Sequence, residues 1–258
     1  MTGNNTGLVL QDRDRHLLRE LAVMRVIDRE QAKLVAEFGS TTRANARLLA
    51  LTRTGLLRRF FLGTTTGGKK AIYALSPSGA RLLDLPCRGP RRKREEVLVG
   101  DFFVTHQLAI NEIYGTLKYR PLPTPEAKFL RWMSYSRPLD PGGSLIPDGY
   151  VELLLSGKPL AAFLEIDLGH EGQKIWKAKI EAYLRYAASG QFATRFHQPR
   201  FRVLVVGKSA RRAESIRNLA GSVTEKIFWF SSFEQINREG FWSPVWLRPR
   251  DDRGQSLL

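Results

Sequence analysis

The chain has a single cysteine, Cys87, in 258 residues, which excludes an internal disulfide and any thiolate metal cluster and fits a reducing compartment. No stretch of about 18 apolar residues is present to cross a bilayer. The N-terminal MTGNNTGLVLQDRDR has neither the basic start nor the apolar run of a signal peptide, so the expectation is a soluble, cytoplasmic protein. There is no Gly-X-Ser-X-Gly elbow, no Walker loop and no cysteine and histidine spacing that makes a nucleophile. Acid is also scarce: 25 Asp and Glu stand against 41 Lys and Arg, a formal net charge of +16. Such a balance favours a polyanionic partner, above all nucleic acid. The first hundred residues hold 19 basic and 9 acidic side chains and the rest hold 22 and 16, so both parts are basic and the first more densely. With 43% hydrophobic residues the chain can bury a core, and its length suits two domains better than one.

After a polar leader, DRDRHLLRELAVMRV sets Leu17, Leu18, Leu21 and Val26 at helical spacing, with Asp12 and Asp14 suited to a helix N-terminus. Asp28 then caps a second helix, REQAKLVAEF, which ends at Gly39. A third, in STTRANARLLALTRTGLLRR, offers Ser40, Thr41 and Thr42 as caps and buries Ala44, Leu48, Leu49 and Leu51. Arg43, Asn45 and Arg47 fall near its start, where a recognition helix meets base edges and phosphates. Beyond Gly55 the period changes, and LLRRFFLGTTTGGKKAIYALSPSG reads as strand, turn, strand, followed by the short helix SGARLLDL. Three helices and a basic hairpin outline a winged helix-turn-helix over residues 10–86, with Thr64 to Lys70 as the wing and Lys69 and Lys70 directed at phosphate. The run PCRGPRRKREE, 86–96, supplies a basic linker over 87–96, in which Arg91, Arg92 and Lys93 are further phosphate contacts.

The second domain, 97–247, is expected to be mixed α/β. A long helix from Val97 to Tyr119 is followed by three strands in LRWMSY, PDGYVELLL and LAAFLEIDL, then the helix QKIWKAKIEAYLRYAASG. The strand RFRVLVVGK, the helix ARRAESIRNLAGSV and the strand KIFWFSSFEQI complete it, and residues 248–258 read as a flexible tail. Tyr183 and Tyr186, three apart on an amphipathic helix, read as packing residues.

Within LAAFLEIDL, Glu165 and Asp167 are two apart and share a strand face. Two acids in an apolar strand must be paired, solvated or metal-bound. Hard oxygen ligands of this kind suit Mg²⁺ or Mn²⁺ shared with a substrate phosphate, whereas Lys174, Lys177 and Lys179 on the next helix could instead salt-bridge the pair. Asp148, just before the preceding strand, is the third acid.

Ile146-Pro147-Asp148, a strand, a turn and then Glu165-Ile166-Asp167 resemble the active-site core of the PD-(D/E)XK nuclease superfamily. With the winged helix in front, the chain resembles the replication-relaxation family of plasmid and mobile-element proteins over about residues 10 to 235. The overall fold expected is therefore α+β, a winged helix-turn-helix followed by a mixed α/β PD-(D/E)XK nuclease-like domain. The resemblance implies Asp148 and Glu165 as metal ligands and Glu112 as a helix acid reaching the same site. Where the nuclease pattern has lysine this chain has Asp167, so either Lys177, Lys179 or His170 substitutes, Asp167 completes an all-carboxylate Mg²⁺ or Mn²⁺ site, or the domain serves only to bind DNA. The function it implies is a DNA-binding accessory factor in replication, relaxation or mobilisation of a mobile element. The alternatives are a metal-dependent DNA endonuclease and a transcriptional regulator. Its partners would be double-stranded DNA and a relaxase, replication or transposition protein. A homodimer on paired half-sites suits a winged helix, although no heptad supports one.

Overall fold

The computed structural model describes residues 8–64, 67–98, 100–140 and 142–258. Most of the polar leader, residues 65 and 66 of the expected wing tip and residue 99 of the expected long helix lie outside them. The chain divides into two compact units, Met1–Arg120 and Pro121–Leu258. Both mix helix and sheet.

The first unit runs α1 (Asp12–Met24), β1 (Ile27–Asp28), α2 (Arg29–Val35), α3 (Thr41–Arg53), β2 (Leu57–Gly63), β3 (Lys69–Leu75), α4 (Pro77–Leu82), β4 (Val97–Leu98) and α5 (Phe102–Tyr119). Local chemistry sets these boundaries. Asp28 caps α2 by accepting from the Gln31 amide at 2.8 Å, Ser40 caps α3 through the Arg43 amide at 3.2 Å, and Ser76 caps α4 through the Gly79 amide at 2.9 Å. The sheet order is β1-β3-β2-β4, antiparallel except for the parallel pair β2 and β4. Its buried face closes over Val26, Phe60, Ile72, Ala74 and Val104.

Three expectations are corrected here. Val97 and Leu98 do not open a helix but pair with Phe61 and Leu62 of β2, and the helix begins only after Asp101, whose Oδ1 accepts from the Val104 amide at 3.0 Å. Segment 87–96 is not a free spacer: the Glu95 amide donates to the Arg59 carbonyl at 2.9 Å, and the Glu96 carbonyl accepts from the Phe61 amide at 2.8 Å. Helix α5 belongs to the first unit, where Asn111 donates to the carbonyls of Met24 and Val26 and Tyr114 donates to Glu20 at 2.5 Å.

The second unit runs β5 (Lys128–Met133), β6 (Gly149–Leu155), β7 (Lys158–Asp167), α6 (Gln173–Ala188), α7 (Gln191–Phe196), β8 (Arg202–Gly207), α8 (Ala210–Gly221), β9 (Phe228–Ser232), α9 (Phe233–Glu239), β10 (Trp246–Arg248) and β11 (Asp251–Gln255). They form one seven-stranded sheet in the order β11-β10-β9-β8-β7-β6-β5. Strands β5 to β7 form an antiparallel meander, β7, β8 and β9 are parallel, and β10 and β11 return antiparallel at the edge. Residues 248–258, expected to be a flexible tail, instead supply the end of β10 and all of β11, and Leu257 is buried. Under α6 and α8 lies an aromatic core that includes Tyr150, Phe163, Trp176, Tyr183, Phe192 and Phe228. Tyr183 and Tyr186 are part of it, as their spacing predicts.

Candidate functional site

The three acids singled out in the sequence converge through one hairpin. Ser156 and Gly157, with φ of 47° and 74°, make the two-residue turn between β6 and β7. That turn sets a register in which Gly149 faces Leu164, so Asp148, one step further on, comes to the Glu165 end of β7. Its Oδ2 accepts from the Ile166 amide at 2.7 Å. Gly149 itself is required, because the ring of Trp132 lies 2.3 Å from where a Cβ would stand.

Glu165 is fully buried. It accepts from Lys179 Nζ at 2.9 Å and from the Tyr183 hydroxyl at 2.6 Å, both from α6. Burial pushes its carboxyl up to about 7, assisted by the charge of Asp148 and only partly offset by Lys179 and Tyr183. Burial works against the Lys179 ammonium too, but Glu165, Asp148 and Glu171 together outweigh it and hold the amine above its ordinary value. Lys179 also pairs with Glu171 at 2.8 Å and lies 5.1 Å from the Trp176 ring centroid.

Asp167 has a different partner. Arg212, from α8, reaches it with Nε on Oδ1 and Nη2 on Oδ2, both at 2.7 Å, while Trp176 Nε1 and the Gly169 amide each donate at 2.6 Å. Burial raises this carboxyl, yet those hydrogen bonds outweigh it and hold the group below the ordinary carboxylate range.

Lys179 therefore joins the acids, whereas Lys177 and His170 are exposed, and Glu112 is an exposed residue of α5 in the first unit. The acids as arranged do not fit a bound Mg²⁺ or Mn²⁺. Both oxygens of Glu165 and both of Asp167 accept from protein donors, and among the described residues no group of three or more His, Cys, Asp or Glu could hold a metal. Arg212 and Tyr183 were missed as partners of the acids. An arginine 45 residues from Asp167 carries no local signal, and Tyr183 showed only its packing periodicity.

In the first unit, Arg43 and Asn45 are exposed on α3, and Lys69 is exposed in the hairpin. Lys70 pairs with Asp28 at 2.6 Å. Arg91 and Lys93 are exposed, while Arg92 holds Asp101, with Nε at 3.0 Å. Arg47 is turned inward: its Nε donates to the buried Asp14 at 2.8 Å and its Nη2 to the Val9 carbonyl at 2.7 Å, tying α3 to α1. Arg47→Ala is thus expected to destabilise this unit by about 2 kcal/mol, since it strands a buried carboxylate. Arg43→Ala should stay within about 0.5 kcal/mol of the parent. Urea unfolding followed by circular dichroism separates the two, and equal effects would refute a structural role for Arg47.

A protein-family model described as replication-relaxation matches residues 18–198, well over half of the chain, a stretch that includes Asp148, Glu165, Asp167 and Lys179. No match was found among curated proteins or solved structures.

Proposed function

Because the chain belongs to the replication-relaxation family, we propose that it is a DNA-binding accessory protein of a plasmid or other mobile genetic element, with a winged helix in the first unit and a degenerate PD-(D/E)XK nuclease-like fold in the second. The observation that carries this reading is that the oxygens of both acids of the nuclease-like pattern already accept from protein donors, Glu165 from Lys179 and Tyr183 and Asp167 from Arg212, Trp176 and the Gly169 amide. Metal-dependent hydrolysis of a phosphodiester by this pattern needs carboxylates open to a hydrated metal. These carboxylates serve the fold instead. The winged-helix reading is supported by the sequence of helices ahead of an antiparallel β2–β3 hairpin and by exposed Arg43, Asn45 and Lys69 on α3 and that hairpin. The net charge of +16 supports double-stranded DNA as the ligand.

A second reading, a metal-dependent endonuclease, is favoured by one feature: Lys179 on α6 puts an ammonium beside Glu165, where the nuclease pattern puts its lysine on the strand. The two are separated by incubating the protein with supercoiled plasmid in Mg²⁺, Mn²⁺ or EDTA, beside an Asp148→Ala, Glu165→Ala variant, with binding followed by mobility shift. The accessory reading expects a salt-sensitive shift in the parent, no nicking, and an Arg43→Ala, Lys69→Ala variant weakened about fivefold, from two lost phosphate or base contacts. Metal-dependent nicking that disappears in the double-acid variant would overturn it in favour of the endonuclease. Unchanged affinity in the Arg43, Lys69 variant would remove α3 and the hairpin as the DNA-binding surface.

A further inference from the structure

At the opposite end of the second unit's sheet from the acids, where β7, β8 and β9 begin, a cleft of about 530 Å³ is lined by Lys158, Arg200, Arg202, Trp229, Arg248 and Leu257. Lys158 starts the strand that carries Glu165 seven residues later, so the two ends are about 23 Å apart. The cleft is cationic: four basic side chains line it together with Leu258, whose terminal carboxylate makes no ion pair with them among the described residues. The guanidinium carbons of Arg202 and Arg248 lie 4.4 and 4.8 Å from the centroid of the same Trp229 ring. Among the described residues no carboxylate pairs with Arg200, Arg202 or Arg248. The hydrogen bonds that hold the last two go to backbone carbonyls, Arg202 Nη1 to Leu257 at 3.0 Å and Arg248 Nη2 to Glu225 at 2.7 Å. Arg248 Nε is buried with no hydrogen-bond partner among the described residues. Burial, and then the charges of Arg248 and Arg200, push the Arg202 guanidinium below its ordinary value.

Elsewhere in this unit the buried or half-buried cations have acids beside them: Lys179 has Glu165, Arg212 has Asp167 and Arg217 has Asp252. Mutual repulsion of unpaired arginines destabilises the protein alone and is relieved when an anion enters. The fork of donors on a guanidinium suits phosphate oxygens in particular. The indole is already covered by guanidinium groups, so charge rather than base stacking is the recognition chemistry available.

We propose that this cleft is a phosphate-binding site, filled by a phosphate of a nucleic-acid backbone or by a free polyphosphate. All three arginines lie beyond the residues matched by the family model, and the site does not depend on the reading of either the winged helix or the acids.

The test uses the full chain and inorganic pyrophosphate, with thermal melting and tryptophan emission recorded against sodium chloride of equal ionic strength. Pyrophosphate should raise the melting temperature of the parent beyond the salt control. An Arg200→Gln, Arg248→Gln variant should lose at least tenfold in pyrophosphate affinity while melting, without ligand, at or above the parent, because it sheds like-charge repulsion. Lys158→Gln, at an exposed position, provides a milder variant with a smaller loss in the same direction. Displacement of pyrophosphate by a 20-base-pair duplex would identify the backbone as the source of the phosphate, and simultaneous binding of the two would identify a free polyphosphate. Equal pyrophosphate effects in parent and double variant, no effect in the parent, or a double variant that melts several degrees lower without ligand would each overturn the proposal.

Discussion

Arg212→Met is expected to destabilise the second unit by about 3 kcal/mol, because it leaves a buried carboxylate without its cation. Asp167 is 1% exposed and accepts four hydrogen bonds. The substitution removes the two from the guanidinium, and Trp176 Nε1 and the Gly169 amide cannot neutralise the charge that remains. Replacing Asp167 by Asn in the same chain removes the charge, so the Asp167→Asn, Arg212→Met double variant should recover more than half of the loss, a coupling of neighbours that two independent sites would not show. The readout is clean because all five tryptophans, at positions 132, 176, 229, 242 and 246, lie in the second unit, so urea unfolding followed by their emission reports that unit alone. Strict additivity of the two single losses would show that the pair is not coupled.

This ion pair also marks the limit of what the sequence makes legible. Strand and helix order in the second unit can be read from periodicity, because β6, β7 and β8 are apolar runs and α6 alternates Trp176, Ile180 and Tyr183 on one face. That Asp148 and Glu165 meet was implied by the resemblance alone; the two-residue turn at Ser156 and Gly157 that fixes the register comes from the fold. The partner of each acid was not legible. Glu165 had three lysines in reach on the next helix, and only the side that α6 turns to the sheet selects Lys179 over Lys177. Asp167 meets an arginine from α8, a choice made by the parallel crossover that lays α8 beside β8 and not by local spacing. Arg47 shows the same limit in the first unit, since its place near the start of α3 reads as a DNA contact and only the fold sets it against Asp14. The edge strand Asp251–Gln255 was hidden for another reason. It has no apolar alternation and is held by pairing to β10, so composition suggested a tail.

The pH dependence of stability provides the second large effect, and it isolates Glu165. A carboxyl held at about 7 in the folded chain, against an ordinary value of 4.5, binds its proton more tightly when folded. Its contribution to stability is therefore full below about 4.5 and is lost as pH rises through 7, a total of about 3 kcal/mol. Lys179 and Tyr183, which touch it, keep their protons across this window. Lysine is held above its ordinary value by Glu165, Asp148 and Glu171, and burial and then Glu165 raise the phenol well above its own. Glu165→Gln removes the titration but keeps a side chain of nearly the same shape beside Lys179 and Tyr183. Measured by tryptophan-detected urea unfolding, the stability of Glu165→Gln relative to the parent should improve by about 2.5 kcal/mol between pH 5 and pH 8. A relative stability that stays flat over that range would mean that Lys179 holds Glu165 ionised throughout, and that the carboxylate is an anion at neutral pH. The expected rise would instead mean that Glu165 is substantially protonated near neutrality. Such a group is a poor metal ligand, and that outcome would support the proposed binding role over metal-dependent hydrolysis.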